Sequence, residues 1–194
     1  MKKLLLLFVF SSLITPVVFS AENSKAVFAG GCFWCMEPPF DKLEGVISTT
    51  SGYIGGESPD PTYKQVSSGA TSHTEAVLVE FDPQKVSYKD LLKVFWRNID
   101  PTDNKGQFVD RGLQYRPGVF YFDDKQKKEA EESKSHLSKE KVFNNPIVVE
   151  ITKAKTFYSA EDYHQDYYKK NPIRYKFYRF NSGRDQFLHK YWKK

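Results

Sequence analysis

Between Glu75 and Phe81 apolar side chains return at every second position. Val77, Val79 and Phe81 fall on one face and Ala76, Leu78 and Glu80 on the other, which predicts a strand ended by Asp82-Pro83. Leu91, Leu92, Phe95 and Trp96 recur instead at helical spacing. Ser87 and Asp90 stand where a capping box would open that helix, which should run to about Ile99. Further strands are predicted at Lys25–Ala29, Val46–Tyr53, Pro117–Phe122 and, as the last one, Pro146–Ile151. Phe33–Leu43 reads as a helix with a restart or kink near Pro38 and Pro39, because proline is disfavoured beyond a first turn. Gly52, Gly55 and Gly56 read as loop residues after the second strand, and Pro61-Thr62-Tyr63 as the opening of a short helix or turn. Asp124–Lys141 carries pairs such as Lys127–Glu131 and Lys128–Glu132 and reads as a solvated surface helix. Strands and helices mixed in this order predict one α+β domain.

The first twenty residues change this picture. Met1-Lys2-Lys3 is followed by an uncharged run from Leu4 to Phe19, with small Ser20 before Ala21. A basic start, an apolar stretch and a small residue are the marks of an export leader, so residues 1–20 are expected to be cleaved and 21–194 to form the working domain. The apolar run is short for a membrane span of ~20 residues and is broken by Ser11, Ser12 and Pro16. The expected product is exported, periplasmic or secreted, rather than held by an anchor. Without the two leader lysines the chain keeps 27 basic and 24 acidic side chains, too mild an excess to point to nucleic acid. The aromatic and basic tail from Phe157 is read as an ordered wrap over the domain rather than a stacking platform for bases.

Only two cysteines occur, Cys32 and Cys35. A bridge between them would close a very short loop and restrain little of the unfolded chain, so the pair suits chemistry better than stapling. Gly30-Gly31 turns the end of a strand into Cys32 at a helix start, where free N–H groups and the helix dipole favour a thiolate. Cys35 lies one turn on, at a spacing also found in thioredoxin-like oxidoreductases and zinc sites. Zinc would need two more ligands, and the four histidines show no paired spacing. Glu75 shares the Val77–Val79–Phe81 face at the start of its strand. Periodicity leaves two readings open, a desolvated neutral acid or an edge carboxylate whose head reaches water. For Phe33 and Trp34 taken alone, core packing is the simpler reading. Beside Cys32, an apolar slot becomes the better one.

Gly31-Cys32-Phe33-Trp34 resembles the signature of the methionine sulfoxide reductase A (MsrA) family. The resemblance continues through Ser51-Gly52-Tyr53, Gly55-Gly56, Pro61-Thr62-Tyr63, Thr74-Glu75-Ala76-Val77, Val94-Phe95-Trp96, Asp100-Pro101-Thr102, Gln114-Tyr115-Arg116 and Ala160–Gln165, in the family's order. It implies a single-domain two-layer α+β sandwich, a mixed sheet with a ferredoxin-like core. It also implies reduction of the S epimer of methionine sulfoxide, free or in proteins. Cys32 would be the nucleophile, Glu75 the acid that protonates the departing oxygen, and Tyr63 and Tyr115 hydrogen-bond donors to that oxygen. Phe33 and Trp34 would wall the slot for the methyl group, and Asp110 would lie near the site. Cys35 is the implied resolving thiol, closing a disulfide with Cys32 that an external thioredoxin-like dithiol reductant would reopen. No metal or organic cofactor is implied, and the working form is expected to be a monomer. The chain departs from the family at Arg111, Leu113 and Pro117, and it lacks the C-terminal recycling cysteines that many members carry.

Overall fold

In the computed structural model the described residues are 23–192; the expected leader lies outside them. The chain runs β1 (Ser24–Ala29), α1 (Phe33–Asp41), β2 (Val46–Ile54), α2 (Tyr63–Ser67), β3 (Thr74–Phe81) and α3 (Tyr88–Trp96). A small hairpin of β4 (Gly106–Gln107) and β5 (Asp110–Arg111) follows, then a 3-10 turn at Leu113–Tyr115. After it come β6 (Gly118–Tyr121), α4 (Asp124–Lys139), β7 (Glu150–Lys153), β8 (Tyr158–Ser159), α5 (Tyr167–Lys170), α6 (Pro172–Asn181) and α7 (Arg184–Trp192).

The main sheet has the order β7-β6-β1-β3-β2-β8. Its inner four strands, β6-β1-β3-β2, pair antiparallel and are joined by α1 and α3 as β-α-β-β-α-β, the ferredoxin-like arrangement. β7 adds in parallel to β6, which makes the sheet mixed. The alternation in β3 explains its central position. Phe28, opposite Val77 in the register, stacks on Phe40 of α1 at 5.1 Å, on Phe95 of α3 at 5.2 Å and on Tyr88 at 6.0 Å. Such ring pairs add about 0.5–1.5 kcal/mol each beyond the area they bury. A smaller cluster of Val27, Ala29, Ile54, Ala76 and Phe120 fills the opposite face. α3 starts on the full capping box of Ser87 and Asp90, and α2 on an equivalent box of Thr62 and Gln65.

Several boundaries differ from the sequence reading. α1 ends at Asp41 rather than Leu43 and runs through both prolines without restarting. Pro39 has no N–H to give to the Cys35 carbonyl one turn back, and Arg179 Nη1 donates to that carbonyl instead, at 3.1 Å. Gly52 belongs to β2 and pairs with Ser159, not to a loop. A Cβ at this position would lie 2.3 Å from the Tyr158 carbonyl, so only glycine lets β8 approach. The strand expected at Pro146–Ile151 forms over Glu150–Lys153, and it is not the last, since β8 follows. Pro146–Val149 lies outside the ladder, with Val148 N–H donating to the Pro101 carbonyl. Of the charged pairs expected in α4, Lys128–Glu132 is a loose contact at 3.9 Å, while Lys127 lies over the Tyr121 ring. The aromatic tail wraps the domain as expected, in three helices.

Candidate active site

β1 carries the chain to Gly30-Gly31, and Gly31 takes φ +80°, a conformation costly for other residues. This turn sets Cys32 at the N-cap of α1 and Phe33 at its first position. The first free N–H of the helix, that of Phe33, donates to Glu75 Oε2 at 3.1 Å. Glu75 stands near the start of β3, opposite Tyr53 of β2, and is buried. The desolvated reading is therefore the one the fold realises. Burial raises its pKa to about 8 against the lowering effect of the Phe33 N–H, with Asp110 and Cys35 adding to the rise. At pH 7 the carboxyl is a neutral acid.

Cys32 keeps 7% of its surface exposed and Cys35 none, and both are free thiols. Of the two, Cys32 is thus the residue that keeps any surface open to an outside molecule. The helix start does not hold Cys32 as a thiolate in this resting arrangement. Burial pushes its pKa well up, and its hydrogen bond with Cys35 and the carboxyls of Glu75 and Asp110 act in the same direction. Cys35 is drawn down to about 7, first by the hydrogen bond from Cys32, against its own burial, with Arg184 and Arg179 assisting. The two thiols act on each other, and burial opposes charge on both.

Tyr63 opens α2 and Tyr115 closes the 3-10 turn. Burial raises both phenols, with Glu75 next among the causes, Tyr63 to about 12 and Tyr115 further, so both keep their O–H. Glu75 and Cys32 act on both tyrosines, and Tyr63 acts on Tyr115, so the four groups share one electrostatic neighbourhood. Phe33 is buried, with its ring centroid 4.9 Å from His164, 6.1 Å from Tyr53 and 6.5 Å from Tyr63. Trp34 is half-buried. Tyr167 stacks on one face at 3.7 Å and Tyr178 meets it edge-on, which fixes the indole without covering it. Asp110, on β5, accepts a hydrogen bond from Tyr178 O–H, and burial raises its pKa. Arg111, the departure beside it, turns outward to pair with Asp103 at 2.6 Å. All eight residues singled out in the sequence therefore lie in or against one cluster.

Other members of the cluster carry no signal in a single sequence. His164 Nδ1 accepts from Trp34 Nε1 at 3.1 Å, and burial lowers its pKa to about 4, so the ring is neutral. Glu161 takes Tyr53 O–H at 2.8 Å and the Tyr63 N–H at 2.9 Å, tying α2 to the tail. Glu37, one turn beyond Phe33 on α1, is buried with its pKa raised to about 7, chiefly by burial. Only the position of Glu161 and His164 within one shared block, Ala160–Gln165, could have marked them. A groove of about 470 Å³ between α3, α4 and α7, lined by Trp96, Leu137 and Trp192 among others, includes none of these residues.

A nearly buried cysteine at a helix start, a fully buried partner thiol one turn on and a neutral carboxylic acid beside them define a thiol oxidoreductase that protonates what it reduces. The family described as peptide methionine sulfoxide reductase matches residues 24–194, and the chain belongs to it. The peptide methionine sulfoxide reductase MsrA of Ligilactobacillus salivarius (strain UCC118) is 55% identical over 171 residues, covering 88% of this chain and 99% of that protein. Among solved structures, reduced Mxr1 from Saccharomyces cerevisiae superposes with a TM-score of 0.74 at 34% identity, over 79% of this chain and 88% of that one. Methionine sulfoxide reductase A of Corynebacterium diphtheriae gives the same TM-score at 33% identity, over 78% of this chain and 76% of that one. The enzyme is a thiol-dependent methionine sulfoxide reductase.

Proposed function

We propose that the chain reduces the S epimer of methionine sulfoxide, free or within proteins, in two thiol steps at Cys32 and Cys35. The observation that carries this reading is the junction of Cys32, the less buried of the two cysteines, with Glu75, a neutral acid bonded to the adjacent Phe33 N–H. Cys32 attacks the sulfoxide sulfur while its proton passes along the hydrogen bond to Cys35. Glu75 gives its proton to the sulfoxide oxygen, which otherwise leaves poorly. Tyr63 and Tyr115 donate hydrogen bonds to that oxygen, and Phe33 and Trp34 hold the methyl group in an apolar slot. The oxygen moves to Cys32 as a sulfenic acid and methionine departs. Cys35 then attacks the Cys32 sulfur, the S–O bond breaks, and the oxygen leaves as water with the proton Cys35 gives up. A disulfide remains. An external dithiol protein of the thioredoxin type reopens it by exchange through the Cys32 side. Neither step calls for a metal or an organic cofactor.

Purified protein given mixed sulfoxide diastereomers and a small dithiol is expected to consume the S form and leave the R form nearly untouched, as read by chiral chromatography. Consumption of both forms, or of neither, would overturn the reading.

The leader-like composition of Met1–Ser20 supports a reading in which the domain works outside the cytoplasm, and the proposed working form is a monomer. Among the described residues no helix is long and apolar enough to cross a membrane. Mass spectrometry of the exported protein is expected to show a chain beginning at Ala21. A membrane-bound species retaining Met1 would instead establish an anchor.

A further inference from the structure

The two arginines beside Cys35 are not needed to bind or protonate a sulfoxide, and their surroundings are unusual. Arg184, on α7, is buried, yet none of its hydrogen bonds goes to a carboxylate. Its donors go to the carbonyls of Gly30 and Asn98 and to Met36 Sδ, its Nε has no partner, and the guanidinium lies over the Phe108 ring at 4.6 Å. A buried cation is costly without a counter-charge, and Arg184 acts on two acidic groups here, the Asp110 carboxyl and the Cys35 thiol. Arg179, on α6, pairs with Asp185 through Nε at 2.8 Å, while its Nη1 holds the Cys35 carbonyl that Pro39 leaves free. That contact ties the tail directly to the main chain of the second thiol.

We infer that Arg179 is a positioning residue for the resolving step: it fixes the Cys35 main chain against α6 and, with Arg184, supplies the positive charge against which the Cys35 sulfur works as a thiolate. The inference rests on the proposed role of Cys35 and deepens it. In the step concerned, the Cys35 thiolate forms a bond to the Cys32 sulfur, the S–O bond breaks, and the departing oxygen takes a proton to leave as water. Both electrons of the new S–S bond come from Cys35.

The groups that face Cys35 come from every side. Cys32 donates to it from the N-cap of α1, Arg184 and Arg179 act from α7 and α6, and Asp110 opposes them from β5. Glu75 on β3 and Tyr175 and Tyr178 on α6 also feel its charge. Glu75 is neutral at pH 7 and both tyrosines keep their O–H, which leaves Asp110 as the acid against two arginines. Loss of one arginine should therefore raise the pH at which Cys35 becomes reactive.

The test is a single turnover without reductant from pH 5 to 9, following methionine formed and disulfide formed in the same samples. For Arg179→Met the ratio of disulfide rate to methionine rate is expected to fall about tenfold at pH 7, with its pH midpoint shifted upward. Arg179→Lys keeps the charge and should recover most of the ratio. Asp185→Asn frees Arg179 from its partner and should move the midpoint downward, which tests the idea without removing a buried side chain. Arg174→Met, on the exposed side of α6, should behave as wild type. An unchanged ratio and midpoint in both Arg179→Met and Asp185→Asn would overturn the inference, as would an equal slowing of both products. Cys35→Ser separates the two readings. If it turns over with a dithiol protein reductant as fast as wild type, Cys35 does not resolve and both fall. If it does not, but Arg179→Met closes its disulfide normally, the inference alone falls.

Discussion

Cys32→Ser is expected to lower methionine formation by roughly a thousandfold or more, because a hydroxyl at neutral pH is a far poorer nucleophile than a thiol that can shed its proton. Burial sharpens the argument. Cys32 keeps 7% of its surface exposed, and Cys35 has no surface to offer in its place. The Cys32 proton also has a neighbour to take it, since the Cys35 thiol acts directly on Cys32 and is itself drawn down to about 7. Serine keeps the size of the side chain and removes both the nucleophile and this exchange. The measurement is the initial rate of sulfoxide reduction with a small dithiol, alongside a thermal melt to show that the fold persists. Retention of a tenth of the wild-type rate would take the nucleophile's role away from Cys32.

What the sequence shows of this site divides by distance along the chain. The glycine turn, Cys32 at a helix start, the alternation of β3 and the capping box of α3 are legible because each is set by neighbours within a few residues. Contacts across a hundred residues or more leave no such mark. Gly52 looks like a loop glycine until the Tyr158 carbonyl is placed where its Cβ would be. Pro39 looks like a helix breaker until Arg179, 140 positions on, takes the carbonyl it frees. Nothing in the sequence singles out Glu37 or Arg184, yet the fold buries both, Glu37 against the Asp166 N–H and Arg184 against three main-chain and sulfur acceptors. The tail illustrates the point most clearly. Its composition predicts a wrap, but that Tyr167 would stack on Trp34, Tyr178 bind Asp110 and Arg179 hold Cys35 depends on how α5, α6 and α7 dock. Helix α1 shows the converse. The dipole argument for a Cys32 thiolate is sound locally, and it is outweighed by a burial that only the assembled sheet creates.

Glu75→Gln is expected to slow the first chemical step about a hundredfold or more, the usual range for loss of a general acid, with the fold intact. The amide keeps the shape of the side chain and can still accept the Phe33 N–H, but it has no proton to give. The same residue sets a pH dependence whose sign follows from its position. A carboxyl with a folded pKa near 8, against about 4.3 in an unfolded chain, binds a proton in the native state that the unfolded state has already released. Between those two values the wild-type fold therefore loses stability as pH rises, by an amount on the order of a few kcal/mol over the whole window. Above about pH 8 the acid is also ionised and can no longer protonate the sulfoxide oxygen. Sulfenic acid formation in the wild type should then fall as pH passes through about 8, while in Glu75→Gln it should be slow and lack that fall. The stability curves should cross over in the opposite sense. The amide does not titrate, so the variant should gain on the wild type in denaturant midpoint as pH is raised from 5 to 9. Rapid mixing for the rate and urea melts at several pH values for the stability measure the two effects separately. A variant as fast as wild type would remove Glu75 from the acid's role. A stability difference independent of pH would show that its carboxyl is not held neutral by the fold, and the crossing of a falling rate with a rising relative stability is what a buried proton donor requires.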